Sequence, residues 1–399
     1  MTATLTEAEL AHAASIADPD DAVVTAPIPA VSQPRVLVAS VVRKSAPIVR
    51  AFAETLTWQR AAAEFGALFL LDLDGLPDAT ESEAALRAAF PMATFAPAPA
   101  PANGDYTEDA AGTRGWSAPA FARMATNRNA ILAFAVAQRF DAVWLVDADV
   151  LCDPTTLASL LAADAPIVSA VYWTRWQPAA PPLPQVWLRH PYALTEAFGF
   201  GADPADFLGA LAARRRLRVG GLGACTLIRT DAIRKGVTYA RVDGLAPGPM
   251  ADGEDRHFCE RARRLHVPLV ADAWPDVWHC YRPADVDRIG PMLDRLRTNV
   301  VELPADGDLV SVRLDACEPL QTGRGMMLPE PQWVRGRLGC LPLIPALEAA
   351  VRATPVGETR LVAVTYPSGY ELATLRGARR IVRVSVLGAK RYAEPPEYA

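Results

Sequence analysis

Short apolar runs separated by helical stretches constrain this chain more than any other feature. RVLVASVV (residues 35–42), ALFLLDL (67–73) and AVWLVDADV (142–150) are nearly continuous in aliphatic residues. Strands buried on both faces read this way, and they occur where helices cover both sides of a sheet. Helical stretches run from about Pro47 to Phe65 and from about Ala118 to Arg139, and IVSAVYW and VGGLGACTLIRTDAIRKG continue the alternation. The pattern predicts an α/β fold, with a mostly parallel sheet flanked by helices.

The 399 residues, 51% of them apolar, suffice for one large core and an appendage. Residues 1–33 are rich in Ala, Pro and Asp and read as a flexible tail; 34–290 form the main α/β domain. Beyond Pro291 short β-branched runs such as LVSVRL and TRLVAVTY give a small mixed α/β C-terminal domain, 291–399. Phe90 to Tyr106 is punctuated by Pro, Ala and Gly and reads as a surface loop or insertion. Trp173 to Arg218 reads as an irregular, Pro-rich lip.

Composition also excludes some functions. The net charge of -5 is spread among mixed acids and bases, so the basic stripe of a nucleic-acid binder is missing. Six cysteines stand without a C-x-x-C pair, which excludes a zinc ribbon or a redox motif. The N-terminal sequence has no secretory pattern and no apolar run reaches membrane-spanning length, so the expectation is a cytoplasmic protein without a transmembrane segment. Assembly into a homo-oligomer is left open.

Two of the apolar runs end in D-x-D, as Asp72 and Asp74 and as Asp147 and Asp149. Residues two apart on a strand face one side, so either pair suits a shared divalent cation. Mg²⁺ or Mn²⁺ takes oxygen ligands, keeps some waters and accepts a substrate diphosphate into its shell. DLDG at 72–75 resembles the first motif of haloacid dehalogenase-like hydrolases. That likeness implies a phosphatase with Asp72 as nucleophile and Asp74 as acid, with Lys235 and the Asp252 to Asp255 stretch supplying the rest. Leu76 and Pro77 stand where a hydroxyl residue is usual.

The second pair belongs to a longer constellation. NRNAILAFAVAQRF precedes the strand AVWLVDADV; then come GGLGACTLIRTDAIRKG from Gly220 and GEDRHFCERARRLHVPLVADAWPDVWHCYRP ending at Pro283. In order, these give a D-x-D strand, a Gly-rich strand, Glu-Asp at a helix start and a later histidine. The sequence resembles the GT-A glycosyltransferases, especially those like glycosyltransferase family 2, over roughly Arg35 to Pro283.

The resemblance implies a Rossmann-like GT-A domain that moves a hexosyl group from a nucleotide-sugar donor, UDP-linked in preference to GDP-linked, to a small-molecule or peptide acceptor. Mn²⁺ or Mg²⁺ would be held by Asp149, with Asp147 on the ribose or the metal and His279 as a further ligand. Asp255 would be the general base of an inverting reaction, kept ionised by the helix N-terminus. Glu254 would bind or orient the acceptor, with Trp173 and Trp176, and Trp187 beyond them, available to stack on it. Ser40, Arg128 and Gly221 fall on the donor side, and Asp72 or Asp74 would read the base. A domain that binds nucleotide sugar without turnover is the other alternative.

Overall fold

The computed structural model describes residues 33–61, 63–102, 106–108, 114–175, 181–187, 204–245, 253–317, 332–365 and 379–391. The expected tail, 1–33, lies outside these residues except for Gln33, and so does Trp176. The chain divides into two compact units, one spanning Gln33–Thr298 and the other Asn299–Ala393.

The first unit begins with β1 (Arg35–Val42), α1 (Ala46–Thr57), β2 (Glu64–Leu71), α2 (Ala79–Ala89) and β3 (Thr94–Pro97). A ribbon of β4 (Tyr106–Glu108) and β5 (Arg114–Trp116) precedes α3 (Ala118–Ala137), β6 (Ala142–Val146), β7 (Val150–Cys152), α4 (Thr156–Ala162) and β8 (Ile167–Ala170). Short strands β9 (Trp173–Thr174), β10 (Leu183–Pro184) and β11 (Val186–Trp187) lead to α5 (Pro204–Ala212), β12 (Arg216–Val219), β13 (Gly221–Leu222), β14 (Cys225–Arg229) and α6 (Thr230–Arg234). The unit closes with α7 (Glu254–Arg264), β15 (Leu269–Asp272), β16 (Val277–His279) and α8 (Ile289–Thr298).

An eight-stranded sheet in the order β12-β15-β8-β14-β6-β1-β2-β3 forms the centre. It is mostly parallel; β14 runs against both its neighbours and β12 against β15. Alternation along β1 shows why the apolar runs are continuous. Leu37 and Ala39 join Ile131, Leu132 and Ala135 of α3 in one core, while Val36, Val38 and Val42 join Ile48, Phe52 and Leu56 of α1 in the other. With helices on both faces, neither set of side chains reaches water.

Helix α3 starts at Ser117, whose hydroxyl accepts from the Ala120 backbone N–H at 3.3 Å, and it stops where Arg139 turns to a φ of 56°. The first predicted helix is shorter than its periodicity implied. It ends at Thr57 because the chain from Glu64 is drawn into β2, in register with β1 from Arg35 onward. The Phe90 to Tyr106 stretch is likewise not all loop. Thr94–Pro97 adds the edge strand β3 beside β2, and a proline is tolerated at the end of an edge strand.

In the second unit, β17 (Leu309–Cys317), β18 (Gln332–Arg337), α9 (Pro345–Ala353), β19 (Thr359–Thr365) and β20 (Arg379–Lys390) make an antiparallel sheet in the order β18-β17-β20-β19. Val310, Val312, Val384 and Val386 pack there against Leu347 and Val351 of α9. Among the described residues, no helix is long and apolar enough to cross a membrane.

Candidate active site

Ligands of open α/β sheets lie beyond the carboxyl ends of the parallel strands. At that edge β1 runs into Arg43 and Lys44, β2 into Asp72 and β6 into Asp147, and the reversed β14 begins there, so that Gly223 and Ala224 arrive from the opposite direction. These groups border one cavity of about 580 Å³, which Asp149, Glu254, Asp255 and His279 also line.

The D-x-D aspartates sit in a tight turn. The Asp147 N–H donates to the Ala224 carbonyl and the Val150 N–H to the Asp147 carbonyl, both at 3.0 Å. Past the turn, β7 pairs antiparallel with β16 in the register Val150 to His279, and the Cys280 N–H donates to the Asp149 carbonyl at 2.8 Å. This pairing carries His279 to the second aspartate, where Nε2 stands 3.5 Å from Asp149 Oδ2. On its other nitrogen, Nδ1, the ring meets the Thr174 hydroxyl at 2.8 Å, which fixes its orientation. The ammonium of Lys44 forms an ion pair with the same Oδ2.

Asp149 and His279 converge as a carboxylate and an imidazole, a donor set that fits Mg²⁺ or Mn²⁺ once diphosphate and water oxygens complete the shell. Asp147 is turned elsewhere. Its carboxylate receives Arg128 Nη2 on both oxygens, at 3.0 and 3.2 Å. No group of three or more His, Cys, Asp or Glu disposed to hold a metal ion occurs among the described residues.

Arg128 is the centre of the second half of the site. It lies on α3, buried, with Tyr239 beneath its guanidinium at 5.3 Å. Its Nη1 reaches Asp255 Oδ1 at 2.5 Å and Glu254 Oε1 at 3.1 Å, while Nη2 holds Asp147. One positive charge thus faces three carboxylates. Burial works against the charge on Arg128, but Asp255, Asp147 and Glu254 outweigh it and hold its pKa well above the usual value.

The carboxylate pKa values are raised as well, which for an acid disfavours the charge. Burial raises the pKa of Asp147 and of Asp255, with Arg128 opposing in each case. Burial also pushes Glu254 up to about 8, against the pull of Arg128. Since a single guanidinium cannot neutralise three anions, the least exposed carboxyl keeps its proton: the side chain of Glu254 is 9% exposed, against 21% for Asp255 and 35% for Asp147. A helix N-terminus lowers a carboxylate pKa, but for Asp255 desolvation by burial prevails, even against Arg128, and raises it.

Asp72 closes the far end of the cavity. Its Oδ1 accepts the Ala102 N–H at 2.9 Å and Arg43 at 3.4 Å, and its Oδ2 accepts Arg123 at 3.2 Å. Asp74 is exposed, and only its backbone carbonyl is engaged, by Arg43 at 3.1 Å. The phosphatase arrangement is brought together only in part: Asp255 lines the cavity with Asp72. Asp74 and the exposed Lys235 do not line the cavity with Asp72, and Asp252 lies outside the described residues.

Other expected site residues fall outside the cavity. Ser40 is fully buried within β1, two residues short of the strand's end, and Val41, Arg43 and Lys44 line the cavity instead. Gly221 pairs with Trp187 across β13 and β11, and of the Gly220, Gly221 and Gly223 run it is Gly223 that lines the wall. Trp173 belongs to the core, 8% exposed, because β9 is pinned between β10 and β16. The half-buried Trp187 borders the cavity with Leu183 and Pro184. Arg43, Lys44 and Arg123 were missed. Arg43 and Lys44 directly follow the first strand, the place where an α/β sheet meets its ligand.

No protein-family model and no curated protein matches the sequence. Among solved structures the chain is similar to S. aureus TarS 1-349 at a TM-score of 0.37 and 11% identity, over 66% of this chain and 71% of that one. It is similar to the mannosyltransferase PcManGT from Pyrobaculum calidifontis, in complex with GDP-Man and Mn²⁺, at a TM-score of 0.32 and 17% identity, over 64% and 61% of the two chains. It is also similar to glucosyl-3-phosphoglycerate synthase from Mycobacterium tuberculosis, in complex with Mn²⁺, UDP-glucose and glycerol 3-phosphate, at 0.31 and 13%, over 78% and 90%. Likeness at this level does not assign an activity, which has to come from the residues of the cavity.

Proposed function

We propose that this protein is a GT-A glycosyltransferase that moves a sugar from a nucleoside diphosphate to an acceptor hydroxyl. One observation carries this reading: through Arg128, the D-x-D aspartate Asp147 and the Glu254-Asp255 pair are tied together in a single cavity that also holds Asp149 and His279.

In the reaction the bond between the anomeric carbon and the diphosphate oxygen breaks, and the acceptor oxygen takes its place. Asp149 and His279 would hold a divalent cation, which would supply positive charge to the leaving diphosphate. Asp255 accepts the proton of the acceptor hydroxyl, and a proton affinity raised by burial suits it to that task. Arg128 holds the Asp255 carboxylate in place and bridges it to Asp147, which fixes the base relative to the donor half. Glu254, its pKa raised to about 8 by burial and paired with Arg128, sits beside the base on the same guanidinium. A base on the face opposite the leaving group gives inversion.

Asp72, clasped by Arg43 and Arg123, marks the nucleotide end. Leu183, Pro184 and Trp187 offer the acceptor an apolar wall, and a small molecule or a peptide side chain with a flat apolar portion suits it.

Calorimetric titration with UDP and GDP, each with and without Mn²⁺, tests the assignment on the parent protein and on Asp149→Ala. Metal-dependent binding of one nucleotide, lost in the variant, supports it and selects the donors to assay. Absence of binding by either nucleotide under every metal condition overturns it.

A further inference from the structure

Lys44 is not part of any expected constellation, yet its ammonium forms an ion pair with an aspartate of the D-x-D turn. It follows β1 by two residues, its backbone carbonyl accepts the Ser82 hydroxyl at 3.1 Å, and its side chain is 9% exposed. The ammonium lies on Asp149 Oδ2, the oxygen that also faces His279 Nε2. That oxygen is the one a divalent cation held by Asp149 and His279 would use.

A dication and an ammonium cannot share one carboxylate oxygen without strong repulsion in a site so poorly exposed to water. When one arrives, the other has to leave. Lys44 lines the cavity, so its flexible stem gives the ammonium a short path from Asp149 to any anion bound there. The anion that suits both partners is a diphosphate: it brings oxygen ligands for the cation and takes up the displaced ammonium.

We propose that Lys44 is the resting counter-ion of Asp149 and a diphosphate-binding residue, so that the metal loads with the nucleotide and not before it. This rests on the metal-dependent transferase reading above. Without nucleotide, Lys44 occupies the carboxylate and keeps free metal out. With nucleotide, the ammonium transfers to the diphosphate and Asp149 becomes free to ligate. The affinities of metal and nucleotide are coupled through one side chain, and such coupling is reciprocal.

Mn²⁺ binding followed by electron paramagnetic resonance, with and without UDP or GDP, tests this in the parent protein, Lys44→Met, Lys44→Arg and Asp149→Ala. The parent should bind Mn²⁺ weakly alone and roughly tenfold or more tightly with its nucleotide. Lys44→Met should bind Mn²⁺ alone at least about tenfold more tightly than the parent, with the enhancement by nucleotide largely lost. Lys44→Arg, which keeps the charge, should retain weak binding of free metal, and Asp149→Ala should bind in neither condition. Parent-like affinity of Lys44→Met for free Mn²⁺ would overturn the role of Lys44 while leaving the metal site standing. Failure of the parent to bind Mn²⁺ with either nucleotide would overturn both. Unchanged thermal melting of Lys44→Met excludes a folding artefact.

Discussion

Arg128 Nη1 meets Asp255 Oδ1 at 2.5 Å, and through that bond α3 is fastened to the first turn of α7. The other arm of the same guanidinium holds Asp147, so two strongly separated parts of the sequence share one charge. Breaking a buried ion pair by removing one partner typically costs about 3–5 kcal/mol. Arg128→Met should lower thermal stability by an amount in that range and abolish turnover. Arg128→Lys, which keeps the charge but not the fork, should recover much of the stability and little of the activity. Melting temperature and kcat, measured on both variants, check the split.

The two acids at the start of α7 should behave differently. Asp255→Asn removes the proposed base and should reduce kcat by roughly 10²- to 10⁴-fold. Glu254→Gln imitates the protonated acid and should leave kcat near the parent value at pH 6.5. Equal losses in the two variants would mean that the base has been assigned to the wrong carboxyl.

Glu254 also sets a direction for stability against pH. Its pKa rises to about 8 in the folded chain, against about 4.3 for an unperturbed glutamate. Between these values the folded state holds a proton that the unfolded state has released. Its contribution is therefore full below the lower value and is lost as pH rises through about 8. Denaturant unfolding from pH 5 to 9 should show falling stability, with a shallower slope in Glu254→Gln.

The Thr174 hydroxyl orients the His279 ring. Loss of such an outer contact commonly costs about 10- to 100-fold in metal affinity. Thr174→Val should weaken Mn²⁺ binding in the presence of nucleotide by that order, without changing the fold. Calorimetry at fixed UDP or GDP measures it.

At the far end, Asp72→Ala should weaken nucleotide binding and, at saturating nucleotide, spare metal binding, because the acid bonds Arg43, Arg123 and the Ala102 N–H but none of the metal donors. Hydrolysis of p-nitrophenyl phosphate by the parent, lost in this variant, would instead revive Asp72 as a nucleophile.

Much of the architecture was legible in the sequence, because apolar runs buried on both faces admit few alternatives. Leu37 and Val38 had to find partners on opposite sides of a sheet, and α3 and α1 supply them. Boundaries that depend on strand pairing were not legible: Glu64 and Phe65 continue a helical pattern locally and become strand only because Arg35 and Val36 lie beside them. The same holds within the site. The positions of Asp147, Asp149, Asp255 and His279 follow from motif order, but the bonds of Arg128 span 127 residues of chain and carry no local mark. Trp173 and Ser40 have the chemistry of ligand contacts, and only their burial shows otherwise.

Gly223 at the cavity wall has a different kind of consequence. A Cβ at Gly223 would stand 2.9 Å from the Tyr172 hydroxyl and 3.2 Å from the Gln185 carbonyl, and that hydroxyl accepts the Ala224 N–H. Any side chain there would push on Tyr172, whose ring meets His279 edge-on at 5.2 Å. Side chains such as Leu183 can change at this wall without touching Tyr172, while this stretch of bare main chain stays closed to substitution.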